Sequence, residues 1–177
     1  TALDSVSFDI DHGELVMVTG ASGSGKTTLM RLLTREYIPT SGDITFDDTL
    51  VNKIRSGRVH QHRRKIGVVF QDYKLLPEMN VWENIALALA IIGIKQDEIE
   101  SRVTDLLELV KLTDKAHHFP SQLSGGEAQR VSIARALSTA PKVIFADEPT
   151  GNLDNNTSTG VIDLLRKIHE LGTTWII

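Results

Sequence analysis

The sequence predicts an α/β fold in which a parallel sheet flanked by helices is interrupted by a helical insertion. Three short, uncharged apolar runs are typical of strands buried in a parallel sheet: residues 15–19, 66–70 and 143–146. Between about residue 73 and residue 123 the pattern becomes helical instead. We therefore predict a sheet of parallel strands with a helical subdomain inserted into it.

The first elements along the chain alternate apolar and polar residues. Leu3–Ile10 has this pattern, and Asp43–Phe46 has it again. Strict alternation is typical of half-buried strands. The two segments together predict a small antiparallel layer beside the main sheet.

The predicted strand at residues 15–19 leads directly into Gly20–Thr27, which has the spacing GxxxxGKT. Its three glycines allow successive backbone N–H groups to turn inward around phosphate oxygens, and the leucine-rich segment that follows predicts a helix whose N-terminus faces the same phosphates. Lys26 can reach the β- and γ-phosphates, the Thr27 hydroxyl can ligate magnesium, and Thr28 can contact the α-phosphate. An ordinary glycine-rich turn would not explain why strand, spacing and helix coincide.

A basic cluster precedes the second apolar run. Its members are Arg58, His60, His62, Arg63, Arg64 and Lys65. Such a cluster can contact anionic lipid or nucleic acid, but a run of this kind is more often a solvated face, which is the interpretation we favour.

Two carboxylates follow the third apolar run. Asp147 comes at the carboxyl end of this predicted strand, where open parallel sheets bind ligands, and suits magnesium, with water as intermediary. Glu148 follows at once and therefore points differently, which allows it to polarise the water that attacks a γ-phosphate. The alternative, two solvated carboxylates, would leave the phosphate loop without a metal partner.

A helix is predicted after Asp154, with one apolar face formed by Val161, Leu164, Leu165 and Ile168. Gly172 would end that helix, and residues 173–177 begin another strand. The sheet thus gains a fourth predicted strand.

The composition limits the classes of protein that fit. The 177 residues are 41% apolar, which is enough to bury the core of one domain. There are 19 Lys and Arg against 23 Asp and Glu, and the net charge of −4 disfavours a dedicated nucleic-acid binder. The absence of cysteine excludes disulfides and thiolate metal sites and is compatible with a cytoplasmic location. The most apolar stretch, residues 85–94, is too short to span a bilayer, so any membrane contact must come through a partner.

A second glycine motif, Leu123–Arg130, precedes another predicted helix. Ser124 fits an N-cap, and the two glycines after it expose backbone N–H groups at the positive end of that helix. The motif resembles the signature motif of ABC-type ATPases, and the match extends through Gln129 and Arg130, which a simple helix cap would not explain. This resemblance implies that two chains sandwich two ATP molecules, each helix end facing the γ-phosphate held by the opposite subunit.

Two further segments match this family. Gln71, after the second apolar run, matches the Q-loop glutamine, which contacts magnesium and water and links the nucleotide to helices that face a partner. Asn152–Asp154 matches the D-loop, where Asp154 is implied to communicate across the dimer. Asp154 can also simply cap the next helix, and the two roles are compatible.

The resemblance implies ATP and Mg²⁺ as cofactors and catalytic roles for Glu148, Gln71 and Lys26. Magnesium would be held by Thr27, Gln71 and Asp147. The residues expected to contact nucleotide are Gly20, Ala21, Ser22, Gly23, Ser24, Gly25, Lys26, Thr27, Thr28, Gln71, Asp147, Ser124, Gly125, Gly126, Glu127 and Asp154.

The resemblance also implies one ABC ATPase domain over residues 1–177. Residues 1–72 and 136–177 would form a RecA-like, P-loop NTPase core with its β layer, and residues 73–135 the helical subdomain with the signature motif. The family's γ-phosphate-sensing histidine and its adenine-stacking aromatic are expected outside this chain, beyond its two ends. We therefore expect a domain trimmed at both ends and low ATPase activity for the chain as given.

Residues 70–77, 81–86 and 146–154 resemble FtsE-type ATPases of bacterial cell division, as do residues 114–116 before Phe119-Pro120. This resemblance implies a subunit on the cytoplasmic face of the inner membrane. It would dimerise on ATP and pass force to an integral membrane protein of the FtsX type, which regulates peptidoglycan hydrolysis. The expected docking surface consists of Tyr73, Leu75, Leu76, Met79 and Trp82.

Two alternatives stay open. Residues 70–77 and 146–154 are also shared with LolD- and MacB-type ATPases, which drive lipoprotein release or export. A regulatory module that uses ATP to assemble but hydrolyses it negligibly is the other alternative, and Glu148 favours turnover over this possibility.

Overall fold

A four-stranded parallel sheet lies at the centre of the computed structural model, which describes residues 2–177. The strand order is β1-β6-β5-β4, and β2 and β3 form a separate antiparallel pair. The strands are β1 Leu15–Val16, β2 Thr45–Phe46, β3 Thr49–Leu50, β4 Ile66–Val69, β5 Val143–Ala146 and β6 Thr174–Ile176.

Within residues 2–177, six α-helices accompany the sheet. They are α1 Lys26–Leu33, α2 Val59–Arg63, α3 Val81–Ile91, α4 Gln96–Leu109, α5 Gly125–Ser138 and α6 Asn155–Glu170. Single 3₁₀ turns lie at residues 51–53, 56–58, 113–115 and 120–122. The α/β class is thereby confirmed, with α3 and α4 in the segment for which helices were predicted.

The strands are buried from both sides by two clusters of side chains. Alternate strand residues belong to different clusters, because successive side chains of a strand point to opposite faces. One cluster joins Ile144, Ala146 and Trp175 to helices α3, α4, α5 and α6, and the other joins Val143, Phe145 and Ile176 to α1. The sheet is therefore a middle layer with helices on both faces.

The register of the sheet determines where the functional segments meet. Val69 at the end of β4 lies opposite Ala146 at the end of β5, and Val16 at the end of β1 lies opposite Ile176. All these strands are parallel, so their carboxyl ends lie at one edge of the sheet. The segments that follow β1, β4 and β5 consequently converge there.

Two strand predictions are wrong in part. Leu3–Ile10 is irregular in the structure, with Val6 and Phe8 exposed, so the small antiparallel layer consists of β2 and β3 alone. The run at residues 15–19 forms only a short strand at the edge of the sheet, where Met17 is 68% exposed. Backbone hydrogen bonds with Ile177 nevertheless continue its pairing with β6 as far as Val18.

The basic cluster is exposed as expected at four positions: Arg58, His60, Arg63 and Arg64. Lys65 is half-buried, and the side chain of His62 is buried. Its Nε2 lies 2.7 Å from the carbonyl oxygen of Leu33, and its ring packs edge-on against Phe46. This imidazole therefore connects α2 to α1 and to the β2–β3 hairpin.

No helix within residues 2–177 combines the length and apolar character that crossing a membrane requires.

Candidate functional site

The loop between β1 and α1 bends sharply at its glycines. Gly23 and Gly25 have φ angles of +80° and +102°, which side-chain-bearing residues rarely adopt. A Cβ on Gly25 would also lie 2.7 Å from the carbonyl oxygen of Ala2. Helix α1 begins at Lys26, directly after this bend, so the free N–H groups of its first turn face the loop. The predicted phosphate loop is thus present as a strand, a glycine turn and a helix N-terminus.

The side chain of Lys26, the first residue of α1, folds back onto this loop. Its Nζ donates to the carbonyl oxygens of Gly20, at 2.8 Å, and Ala21, at 3.3 Å. The ammonium is also 3.9 Å from Oε1 of Glu148. The cation therefore lies between the phosphate loop and the carboxylate that follows β5.

Two of the three side chains expected to hold magnesium, those of Thr27 and Asp147, lie next to each other. The Thr27 hydroxyl donates to Oδ2 of Asp147 at 3.3 Å. Asp147 is fixed in this position because its backbone N–H donates to the carbonyl of Val69 and extends the β4–β5 pairing by one residue. Hydroxyl and carboxylate oxygens are ligands that Mg²⁺ prefers, so this pair fits the ion.

Glu148 adopts a strained backbone conformation with φ of +47°. Left-handed backbone at a residue other than glycine or asparagine is uncommon, and such strain is concentrated at functional sites. Its side chain is about half exposed, at 51%. The turn after it is held by the buried Gln129 of α5, whose Nε2 donates to the carbonyl of Pro149 at 2.7 Å.

Gln71 follows β4 and is paired with Asn152. Nδ2 of Asn152 donates to the Gln71 backbone carbonyl at 3.0 Å, and Nε2 of Gln71 donates to Oδ1 of Asn152 at 3.4 Å. A Cβ added to Gly151 would lie 3.0 Å from Nε2 of Gln71 and 3.4 Å from Oε2 of Glu148. The amide of Gln71 and the carboxylate of Glu148 therefore both lie beside this glycine, where a side chain would otherwise be.

The second glycine motif begins helix α5 with the predicted cap. Ser124 accepts a hydrogen bond from the backbone N–H of Glu127, whose carboxylate in turn accepts from the backbone and the hydroxyl of Ser124. These two bonds lower the pKa of Glu127. Among the hydrogen bonds of residues 2–177, none joins this motif to the phosphate loop. The carboxylate of Glu127 stabilises its own helix end, and its predicted nucleotide contact stays a prediction.

Asp154 caps helix α6, as one of its two expected roles requires. Its Oδ1 accepts from the backbone N–H groups of Asn156 and Thr157, and its Oδ2 accepts from the Thr157 hydroxyl at 2.6 Å. The bonds from Thr157 are the main cause of the lowered pKa of Asp154. The role of Asp154 across a dimer stays a prediction.

Helix α5 contacts α6 at Gly126, which is buried. A Cβ there would overlap Cγ2 of Thr157. We expect Gly126→Ala to lower the free energy of unfolding by about 1–3 kcal/mol, because Thr157 cannot rotate away without losing its bond to Asp154. Thr157→Ser removes Cγ2 but keeps the hydroxyl. The double variant should therefore recover most of the lost free energy of unfolding, as measured by urea unfolding. If the double variant were as unstable as Gly126→Ala, this contact would not be the cause.

The structure brings together Lys26, Thr27, Gln71, Asp147 and Glu148, and within residues 2–177 no hydrogen bond joins these residues to residues 124–127 of the second glycine motif. Sequence reasoning missed Asn152 and Gln129 as the residues that hold this site. Both lie inside segments that had been recognised, but neither their type nor their spacing indicates contacts with Gln71 and Pro149.

A phosphate loop with its lysine, an adjacent hydroxyl–carboxylate pair and a glutamate nearby define a nucleoside-triphosphate hydrolase of the P-loop class. A family model described as ABC transporter matches residues 3–151. The cell division ATP-binding protein FtsE of Mycobacterium tuberculosis is 50% identical over 173 residues, which cover 98% of this chain and 75% of that protein. FtsE of Bacillus subtilis is 49% identical over 176 residues, covering 99% of this chain and 77% of that protein.

A solved structure agrees with these relatives. The ATP-binding cassette MJ0796, determined as a dimer in a post-hydrolysis state with ADP and Pi, is similar with a TM-score of 0.88 and 38% identity. The similarity covers 99% of this chain and 78% of that one. The chain therefore belongs to the ABC transporter family and is an ATPase domain of that family.

Proposed function

We propose that this chain is the ATP-hydrolysing subunit of an FtsE–FtsX-like complex in bacterial cell division. The observation that supports hydrolysis best is the position of Glu148, which lies close to Lys26 and, like the amide of Gln71, beside Gly151. The cell-division role is supported by the similarity to FtsE proteins over nearly the whole chain. An ATPase assay of the full-length protein with and without its membrane partner tests the proposal, and measurable, partner-dependent turnover is expected.

Each residue of the site has a distinct part in this proposal. The Lys26 ammonium binds the β- and γ-phosphate oxygens, and the N–H groups of the loop and of α1 surround them. Thr27, Asp147 and Gln71 would hold Mg²⁺, which supplies positive charge to the phosphate oxygens when bound. Glu148 accepts a proton from the attacking water, and the neighbouring Gln71 amide orients that water.

The proposed active form is a homodimer. The N-terminal end of α5, residues 124–127, has two glycines without side chains, and within residues 2–177 it forms no hydrogen bond with the phosphate loop of its own chain. In a two-chain arrangement this end would face the γ-phosphate held by the partner, and Asp154 would lie near the dimer interface. The dimeric state of MJ0796 supports this arrangement.

A shallow groove offers a site for the membrane partner, which would place the chain on the cytoplasmic face of the inner membrane. The groove has a volume of about 390 Å³ and is lined by Asp72, Tyr73, Leu75, Pro120, Leu123, Gly125 and Ala128. Near it in sequence, Leu76 is 38% exposed and Phe119 is 43% exposed. We propose that a cytoplasmic segment of an FtsX-type protein packs here.

The expected docking surface is less exposed than predicted. Tyr73, Leu75, Met79 and Trp82 are half-buried, and Leu75 and Trp82 pack against the main core. Leu76 alone of the five is exposed. Charge at Leu75 would therefore disturb the core as well as a partner contact.

We expect Leu76→Glu to abolish co-purification with the membrane partner and to leave ATP binding unchanged, since a charge would be buried without a counter-ion in the complex. Ile91→Glu is the matched control, because Ile91 is 65% exposed on α3 in the same helical region. Pull-down of the tagged partner measures the effect. Retained co-purification of the Leu76 variant would mean that the contact lies elsewhere.

The alternative function is lipoprotein release or export in a LolD- or MacB-like complex. Depletion of the protein in its own cells separates the two. A cell-division role predicts filaments or chains of undivided cells, whereas a transport role predicts retention of lipoproteins or of an exported substrate in the inner membrane.

A further inference from the structure

The turn that follows Gln71 has an unusual backbone. Tyr73 and Lys74 have φ angles of +60° and +48°, two consecutive left-handed residues of which neither is glycine. Left-handed backbone is disfavoured for residues with a Cβ and is found mostly at glycine and asparagine. Its own backbone bonds are those of the Tyr73 and Lys74 N–H groups to the carbonyls of Phe70 and Asp72, and contacts from outside the turn add to them.

The side chain of Arg135, from the last turn of α5, is bound to this turn. Its Nη1 donates to the carbonyl of Lys74 at 2.7 Å, and its Nη2 donates to the carbonyl of Tyr73 at 2.8 Å. None of the ion pairs within residues 2–177 includes Arg135. Burial lowers the pKa of this guanidinium, so the two carbonyls of the turn compensate a partly desolvated charge.

The same helix also contacts the turn at its first residues. A Cβ on Gly125 would lie 3.0 Å from the hydroxyl of Tyr73, so the tyrosine covers this glycine of the signature motif. Gln71, two residues before Tyr73, is held on its other side by Asn152. The segment with Gln71 is therefore bound by α5 at one end and by the loop after Glu148 at the other.

We propose that Arg135 is a positioning residue for ATP hydrolysis, which holds the left-handed turn at Tyr73 and Lys74 and thereby keeps Gln71 beside Glu148. This inference rests on the proposed role of Gln71. It links the helix that begins with the signature motif to the glutamine through two hydrogen bonds of one guanidinium. Arg135 itself contacts no reacting group.

The first test is the kinetics of Arg135→Gln in the full-length protein. We expect kcat to fall roughly 10- to 100-fold, the effect of a small displacement of a catalytic group, while the KM for ATP changes little because Lys26 and its loop are untouched. The kcat of Arg135→Lys should lie between those of the wild type and Arg135→Gln, since one ammonium cannot bond both carbonyls in the geometry of a planar fork. Arg166→Gln, at an exposed arginine of α6, is the matched control and should behave as wild type. An unchanged kcat for Arg135→Gln would overturn the proposal.

A second-site change separates positioning from general stability. Asparagine adopts left-handed backbone more readily than lysine, whereas alanine does not, and both substitutions remove the ion pair of Lys74 with Asp72. We expect Lys74→Asn, but not Lys74→Ala, to raise the kcat of the Arg135→Gln variant several-fold. Equal effects of the two substitutions would show that Arg135 acts through something other than this turn. The comparison holds even if Arg135→Gln lowers the melting temperature.

Gln71→Ala distinguishes failure of this inference from failure of the proposed function. If Gln71→Ala is slow and Arg135→Gln makes it no slower, the two residues act as one unit and the inference stands. If their effects multiply, the inference fails alone. If Gln71→Ala turns over like wild type, the proposed role of Gln71 fails, and this inference with it.

Discussion

Lys26→Ala is expected to abolish productive ATP binding without unfolding the protein. The ammonium would form charge-assisted hydrogen bonds with the β- and γ-phosphates, and their loss costs roughly 3 kcal/mol or more, about a 100-fold loss of affinity. In the structure its bonds within the protein go to the carbonyls of Gly20 and Ala21 in its own loop. The core therefore does not depend on it, and titration with a fluorescent ATP analogue should detect little binding.

Lys167→Ala provides the control, because Lys167 is an exposed lysine on α6, outside the site. Its variant should bind ATP like the wild type. A folded Lys26→Ala variant with unchanged affinity would contradict the assignment of the phosphate loop.

Features that depend on residues three or four positions apart were predictable from the sequence. Ser124 and Asp154 were expected as helix caps, and both cap helices in the structure. The glycine bend before α1 and the carboxylate after β5 likewise follow from local spacing. Capping and loop geometry are determined by neighbours in the chain, so a single sequence contains the necessary information.

Strand bounds were predicted best where burial accompanied the pattern. Val143–Ala146 was predicted with its observed bounds, since it is buried completely. Leu3–Ile10 alternates correctly but forms no strand, because a strand also needs a partner that supplies its backbone hydrogen bonds. A pattern within one segment cannot indicate whether that partner is present.

Contacts between distant segments were the part that sequence reasoning could not reach. Asn152 and Gln71 are 81 residues apart, and Arg135 and Lys74 are 61 residues apart. Arg135 lies among apolar residues of a predicted helix, where an arginine is ordinarily assigned to the solvated face. Only the packing of α5 against the turn after β4 shows that this arginine is directed inward.

Glu148→Gln should preserve ATP binding and lower hydrolysis by roughly 10²–10⁴, the usual contribution of a general base, equivalent to about 3–5 kcal/mol of barrier. Glutamine has nearly the same shape as glutamate. The left-handed backbone at this position and the position of the side chain beside Gly151, near Gln71, therefore need not change. It also removes a negative charge 3.9 Å from the Lys26 ammonium, which leaves that cation at least as able to bind phosphate.

Binding and turnover should therefore separate in this one variant. Single-turnover phosphate release from the full-length protein measures hydrolysis, and nucleotide titration measures binding. Glu170→Gln, at the exposed end of α6, carries the same chemical change away from the site and should hydrolyse ATP like the wild type. Turnover of Glu148→Gln near the wild-type rate would exclude Glu148 as the base. A parallel loss of binding would mean that the carboxylate acts mainly by holding Lys26 and its loop in place.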